Sequence, residues 1–424
     1  MRLMIAAALL GASVPAGAAT VVTADRYLDV ATGNYVEHPA IFIGDDGRIS
    51  SIADARTVRW GAEVKHIDLG GKTLVPGLID MHTHLGPADI GGYRFLQYTR
   101  TFWPAVSTRT AWDMLAGGFT TIRVVGSSDW NDVGLKQAIE AGYVAGPRII
   151  PAGHSLGTTG GHCDDTYLPP QLQPKEKEEG IGDGTEELRY QVRRQRKFGA
   201  ELIKVCATGG VFSRGTTPGQ QQVTEEELRA IAEEAHMQGM RVAAHAHGSA
   251  GINAAIRAGI DTIEHASLLD DESIRLAKAR KRPVWLSMDI KNTDYTQAEG
   301  LKNGELPENI RKDREIGQVQ RDNFRKAHEA GIPIVFASDA GVMPHSMVGQ
   351  QFAVMVEYGM SPLEAIQAAT RTAAQALGRE HDVGAIEVGR YGDLVAVTGD
   401  PTRNVRLLEA PDAVVKGGVL VDRD

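Results

Sequence analysis

His82, His84, Lys204, His245, His265 and Asp339 each stand in or at the end of an apolar, strand-like run, and all six are of metal-ligand type. Leu78-Ile-Asp-Met-His-Thr-His84 places two histidines at i and i+2, so both imidazoles leave the strand on one side and can share an ion. A His-x-His pair alone is often ordinary surface or core; the other four residues change its reading. Lys204 lies inside Leu202-Ile-Lys-Val-Cys206, where an ammonium has to be paired or neutralised. It reads either as a salt-bridged structural lysine or as a neutral amine that has captured carbon dioxide. In the second case the N6-carboxylate offers one oxygen to each of two metals. His245 ends Arg241-Val-Ala-Ala-His245 and His265 ends Asp261-Thr-Ile-Glu-His265, and either alone also reads as a core histidine. Asp339 follows Ile332-Pro-Ile-Val-Phe-Ala-Ser338, and a carboxylate after so apolar a run needs a strong partner, of which a metal is the simplest. Together the six have the donor chemistry of a two-metal hydrolytic centre.

Four further residues are candidates for contacting a substrate. His162, in the turn Gly160-Gly-His162, and His247, two residues after His245 on the same strand, can donate to an oxyanion or a substrate carboxylate. Arg214, in a polar loop after the fourth barrel strand, has the planar fork that suits a terminal carboxylate, against the alternative of a solvent-facing arginine. His154 ends the third strand and stays ambiguous between site and packing.

These residues need a scaffold that gathers strand ends. From Leu74 onward strand-like runs alternate with helical stretches: Thr120 to Val125, Arg148 to Pro151, Leu202 to Cys206, Val242 to His245, Thr262 to His265, Pro283 to Ser287 and Ile334 to Ser338. With the first, that makes eight units. The expected class is α/β, a (β/α)8 TIM barrel over residues 74–382 with its active site at the C-terminal strand ends. Thr224-Glu-Glu-Glu227 is a capping box that starts one of the helices, and Gly239 ends it. Residues 20–73 and 383–424 read as short strands around Gly turns, predicting a small β-sandwich domain built from both chain ends. Asp393 and Asp400 read there as turn and surface residues. Cys163 to Gly184 and Lys291 to Glu315 read as polar loops on the active face, either lids or plain solvated connections.

The first 19 residues have the charged, apolar and small-residue zones of a secretory signal, which predicts a periplasmic or secreted protein with no membrane association once the signal is removed. A formal charge of −9, from 45 basic and 54 acidic residues, and the lack of a Lys/Arg stripe argue against nucleic acid as a partner. There are two cysteines, Cys163 and Cys206. Both are close to proposed site residues, and they read as unpaired small hydrophobes rather than as a pair across the mouth of the site.

Val75-Pro-Gly-Leu-Ile-Asp-Met-His-Thr-His84, Gly118-Phe-Thr-Thr-Ile-Arg123, Gly160-Gly-His162, Leu202-Ile-Lys-Val-Cys-Ala-Thr-Gly-Gly210, Ala244-His-Ala-His-Gly248, Ile263-Glu-His265 and Ser338-Asp-Ala-Gly341 together resemble the amidohydrolase superfamily. Within it they are most similar to the imidazolonepropionase-like and Xaa-Pro or Xaa-Arg dipeptidase branch, which includes ochratoxin-degrading amidohydrolases. The resemblance implies that His82, His84 and Asp339 hold one divalent metal, that His245 and His265 hold a second, and that carboxylated Lys204 bridges them. Zinc is the ion it implies, although cobalt and manganese suit the same ligands. It also implies a homo-oligomer. Two departures stand out: Arg123-Val124 replaces a common Arg-Asp, and the stretch Ser213 to Val223 lacks an aromatic found in several peptidase relatives.

The activity implied is cleavage of the amide to a C-terminal amino acid, in a dipeptide or an N-acyl amino acid such as ochratoxin A, by a metal-bridging hydroxide. Asp339 would take the water proton and return it to the departing amine. The alternatives are a cyclic-amide or lactone hydrolase with the same centre, and a non-catalytic binding protein, which the presence of all six ligand-type residues opposes.

Overall fold

The computed structural model describes residues 18–173 and 179–423. Residues 1–17 of the expected signal lie outside the described residues, and a strand opening at Ala18 includes its last two.

Eight parallel strands form where the apolar runs predict them. They are β1 (Leu78–Thr83), β2 (Phe119–Val124), β3 (Arg148–Pro151), β4 (Leu202–Cys206), β5 (Arg241–Gly248), β6 (Thr262–Leu268), β7 (Trp285–Ser287) and β8 (Ile334–Val335). β1 to β3 form one ladder and β4 to β8 another. Backbone hydrogen bonds join the two arcs on both sides. Leu156 N–H donates to Lys204 and Cys206 N–H to Leu156; Met81 N–H donates to Phe336, Asp339 N–H to His82 and His84 N–H to Ala340. The strands thus fit a closed (β/α)8 barrel, and their burial on both faces explains why they read as continuous apolar runs. The helix at Glu225–Met237 has the expected capping box, with Thr224 and Glu227 exchanging hydrogen bonds.

The two chain ends join in one mixed eight-stranded sheet. Its long strand Lys65–Pro76 pairs with Ala18–Leu28 over its first part and with Leu394–Val397 over its last. Alternation sorts the side chains: Val22, Ile41 and Ile43 enter a cluster with Leu394 and Val415, while Val21, Ala40 and Phe42 face Val58 and Val64. Asp393, expected as a plain turn residue, is buried and clamps the sheet to the barrel through Arg148 at 2.9 Å and the Gly417 N–H at 2.9 Å.

Two other expectations change. Residues 291–315 are not a polar loop: Asn292–Asn303 and Pro307–Glu329 are helices, the second 23 residues long with proline at its first position. Cys163 and Cys206 are bonded to each other, with Cα atoms 5.8 Å apart. The segment after β3 folds back over the end of β4, which brings together two cysteines 43 residues apart in sequence.

Candidate active site

β1, β4, β5, β6 and the residues just beyond β8 deliver His82, His84, Lys204, His245, His247, His265 and Asp339 to the floor of one cavity of about 390 Å³. His162 and Cys163 reach the same cavity from the segment after β3. Three sets of ligand atoms each gather within 4.8 Å: His82, His84 and Asp339; His245, His247 and His265; and His265, Asp289 and Asp339. The third set shares one member with each of the others, so the two outer groups are linked.

A backing partner holds one nitrogen of each imidazole and leaves the other for the cavity. His82 Nδ1 is 2.8 Å from Glu264, His265 Nδ1 2.7 Å from Asp289 and His84 Nδ1 3.2 Å from the Gly126 carbonyl. His247 Nδ1 is 2.8 Å from Ser267 Oγ and His162 Nδ1 2.8 Å from Ser213 Oγ. His245 is turned the other way, with Nε2 3.2 Å from the Gly209 carbonyl. A carboxylate or carbonyl behind one nitrogen places the proton there and leaves a lone pair on the other, whereas a serine hydroxyl can donate to Nδ1 of His162 or His247 and leave the proton on Nε2. The freed Nε2 atoms of His82 and His84 are both 3.4 Å from Asp339 Oδ1. His162 stacks on His245 with ring centroids 4.2 Å apart, and only glycine at 210 makes room for it, since a Cβ there would come within 2.3 Å of the His162 ring.

Electrostatics suit cations at this floor. Burial lowers the pKa of all six histidines, His84 to about 4 and His265 to about 3, so each is a neutral donor. Burial, and then the Asp289 charge, push Asp339 well above the usual carboxylate range. Burial brings Lys204 down to about 8 against the pull of Glu264 and Asp339, and its amine makes no hydrogen bond among the described residues. A buried set of neutral imidazoles and carboxylates short of positive charge fits divalent ions. His265 (φ 69°), Ala266 (φ 48°) and Asp339 (φ 55°) hold left-handed backbone, strain of the sort that concentrates at functional sites.

Sequence reasoning missed the partners. Glu264 accepts from Arg123 Nη2 at 2.7 and 2.8 Å, and Arg123 also donates to Thr262 Oγ1 and the Met81 carbonyl. Burial raises the Glu264 carboxyl, but Arg123 and Lys204 outweigh it and hold the group ionised. Asp80 accepts from the His82 and Ser338 N–H groups and from Ser338 Oγ, locking β1 to the end of β8. Asn292 and Gln320 donate to Asp289 at 2.6 and 3.3 Å. The legible signal for Glu264 and Asp80 was a carboxylate inside an apolar run beside a histidine. Two proposed contacts do not line the cavity. Arg214 is exposed and donates to Tyr93 OH at 2.6 Å, and His154 accepts from the Asp129 N–H at 3.0 Å.

Comparison with known proteins agrees with this geometry. The model of the amidohydrolase family matches residues 73–421. The chain belongs to the amidohydrolase family. Ochratoxinase of Aspergillus niger is 33% identical to it over 376 residues, covering 82% of this chain and 75% of that one. The crystal structure of a Xaa-Pro dipeptidase with bound methionine superposes with a TM-score of 0.88 at 34% identity, covering 95% of this chain and 99% of that one. Imidazolonepropionase of Symbiobacterium thermophilum is 25% identical and covers 83% of this chain and 82% of that one. This amidohydrolase is accordingly a hydrolase of amide bonds, acting on small molecules.

Proposed function

We propose that this amidohydrolase is an exported, dinuclear metal enzyme that releases a C-terminal amino acid from a dipeptide or an N-acyl amino acid, ochratoxin A among the candidates. The observation that carries the reading is the gathering of His82, His84 and Asp339 and of His245 and His265 on one cavity floor, linked through a third group that shares His265 and Asp339. His82, His84 and Asp339 would hold one ion and His245 and His265 the other, zinc being the expected metal. Lys204 would bridge them as its N6-carboxylate, formed when the neutral amine adds to carbon dioxide and loses a proton. The ions, when bound, supply an activated water and a polarised amide carbonyl.

The side chains do the rest. Asp339 takes the proton of the attacking water and returns it to the departing amine. His162 and His247, whose Nδ1 atoms would accept from the Ser213 and Ser267 hydroxyls, then carry the proton on Nε2 and donate it to the oxyanion or the substrate carboxylate. Glu264 and Asp289 keep His82 and His265 in register. Export is supported by the apolar leader and by the Cys163–Cys206 bond, which suits an oxidising compartment. A homo-oligomer is expected, and light scattering on the purified protein tests it.

The functional test is hydrolysis by zinc-loaded protein of N-acyl amino acids, Xaa-Pro, Xaa-Arg and Xaa-Phe dipeptides and ochratoxin A, beside the Asp339→Asn variant. Release of a C-terminal amino acid that the variant loses by at least about a thousandfold supports the reading. Activity confined to lactams or lactones contradicts it.

A further inference from the structure

We propose that Lys312, which stands behind the cavity wall, is a positioning residue for the amide chemistry: by gathering three carbonyls of the loop after β4 it seats His162 and keeps its proton on Nε2, facing the substrate. The proposal rests on the amidase reading above and assigns a further residue to that reaction.

Lys312 belongs to the helix Pro307–Glu329 and is 5% exposed. Its ammonium donates to the carbonyls of Gly210 at 3.2 Å, of Ser213, and of Thr216 at 3.4 Å. An ammonium has three N–H donors, so the three carbonyls use all of them. Ile316 and Gln320 follow on the same helix face, and Gln320 donates to the His265 carbonyl and to Asp289. One helix thus braces the loop after β4 at one point and the surroundings of His265 at another.

The three residues that Lys312 draws together are the ones that surround His162. Gly210 leaves the space that the His162 ring fills. Ser213 is fully buried, with its hydroxyl 2.8 Å from His162 Nδ1 and 2.6 Å from Thr216 Oγ1. Thr216 Oγ1 accepts in turn from the Gly210 N–H at 3.4 Å. One direction satisfies every proton of this chain. Gly210 N–H donates to Thr216, Thr216 to Ser213 and Ser213 to His162 Nδ1, which leaves the imidazole proton on Nε2. If His162 Nδ1–H donated instead and Ser213 passed its proton to Thr216, the Thr216 proton would have no acceptor among the described residues. The remaining arrangement sends the Ser213 proton to the Gly210 carbonyl, which is 3.5 Å away and engaged by Lys312. Removing the ammonium would free that carbonyl for Ser213 and leave converging carbonyls without a donor, so both the tautomer and the loop would be released.

The test uses zinc-loaded protein with isotope-labelled histidine, in which proton–nitrogen NMR correlation reports which ring nitrogen carries the proton. The His162 signals are those missing from His162→Asn. Expected is an Nε2-protonated His162 in the wild type and a shift toward the Nδ1-protonated form in Lys312→Met. Lys312→Arg, whose planar fork cannot meet three carbonyls from one point, should show the same change in smaller degree and reports even where the methionine variant does not fold. With a substrate from the earlier panel, kcat/KM should fall about tenfold in Lys312→Met, but by no more than about twofold when the same change is made in His162→Asn. An Nδ1-protonated His162 in the wild type, an unchanged tautomer in the Lys312 variants, or an equal loss of kcat/KM with and without His162 overturns the proposal. The tautomer is read without turnover, so a panel in which no amide is hydrolysed sinks the amidase reading separately.

Discussion

Every histidine at the centre has one nitrogen held from behind, and the backing groups differ in strength. Glu264 is the most consequential, because it stands between His82 and the guanidinium of Arg123 with all three side chains at most 3% exposed. Glu264→Gln keeps the shape but removes the charge, so Arg123 is left buried without a counter-ion and His82 with a weaker acceptor. The expected outcome is a 10–100-fold loss of metal affinity in a chelator competition, together with a lower unfolding midpoint. Asp289→Asn is the companion. It still accepts from His265 and leaves no buried cation behind, so it should lose affinity by a similar factor with little change in the midpoint. The candidate ligand residues were legible because a polar residue ending an apolar strand demands an explanation. Arg123 was not, because its partner lies 141 residues away and nothing local announces it.

At the scale of elements, the barrel strands bring the candidate ligand residues together and the segments between them decide what else reaches the site. The strands were legible from apolar runs that only burial on both faces explains. The segment after β3 was not: its path back over β4 is what pairs Cys163 with Cys206, and chain path is not a local property. That bond also anchors His162, its immediate neighbour, above His245. Replacing both cysteines by serine is expected to cost on the order of 2–4 kcal/mol in denaturant melts, since a long loop is released in the unfolded chain. It should also reduce turnover by loosening His162. Unchanged stability would mean that the link carries no weight. The helices at 292–303 and 307–329 escaped notice because their polar residues hide a stripe that faces the cavity, and Arg214 was over-read because loop direction is invisible in sequence.

For the whole molecule, the sheet made from both chain ends grips the barrel through Arg148–Asp393 and through Lys416, whose amine donates to the Gly146 carbonyl at 2.6 Å. Burial, and then the Arg148 charge, lower Lys416 to about 8, from an ordinary 10.5. Between those values the unfolded chain binds more protons than the folded one, so this group makes stability rise with pH from about 8 to 10.5. Urea melts across that range should show the rise in the wild type and a flatter profile in Lys416→Met; identical slopes would refute the assignment. That the two ends meet was legible from their shared short-strand pattern, whereas the Asp393 clamp depends on a barrel residue 245 positions earlier.

The central claim, that six side chains hold two ions with Lys204 between them, is tested most directly by metal content per chain. After loading with zinc and removal of excess, elemental analysis should find two equivalents in the wild type and one or fewer in Lys204→Ala. One equivalent or less in the folded wild type, or two in both proteins, would contradict it.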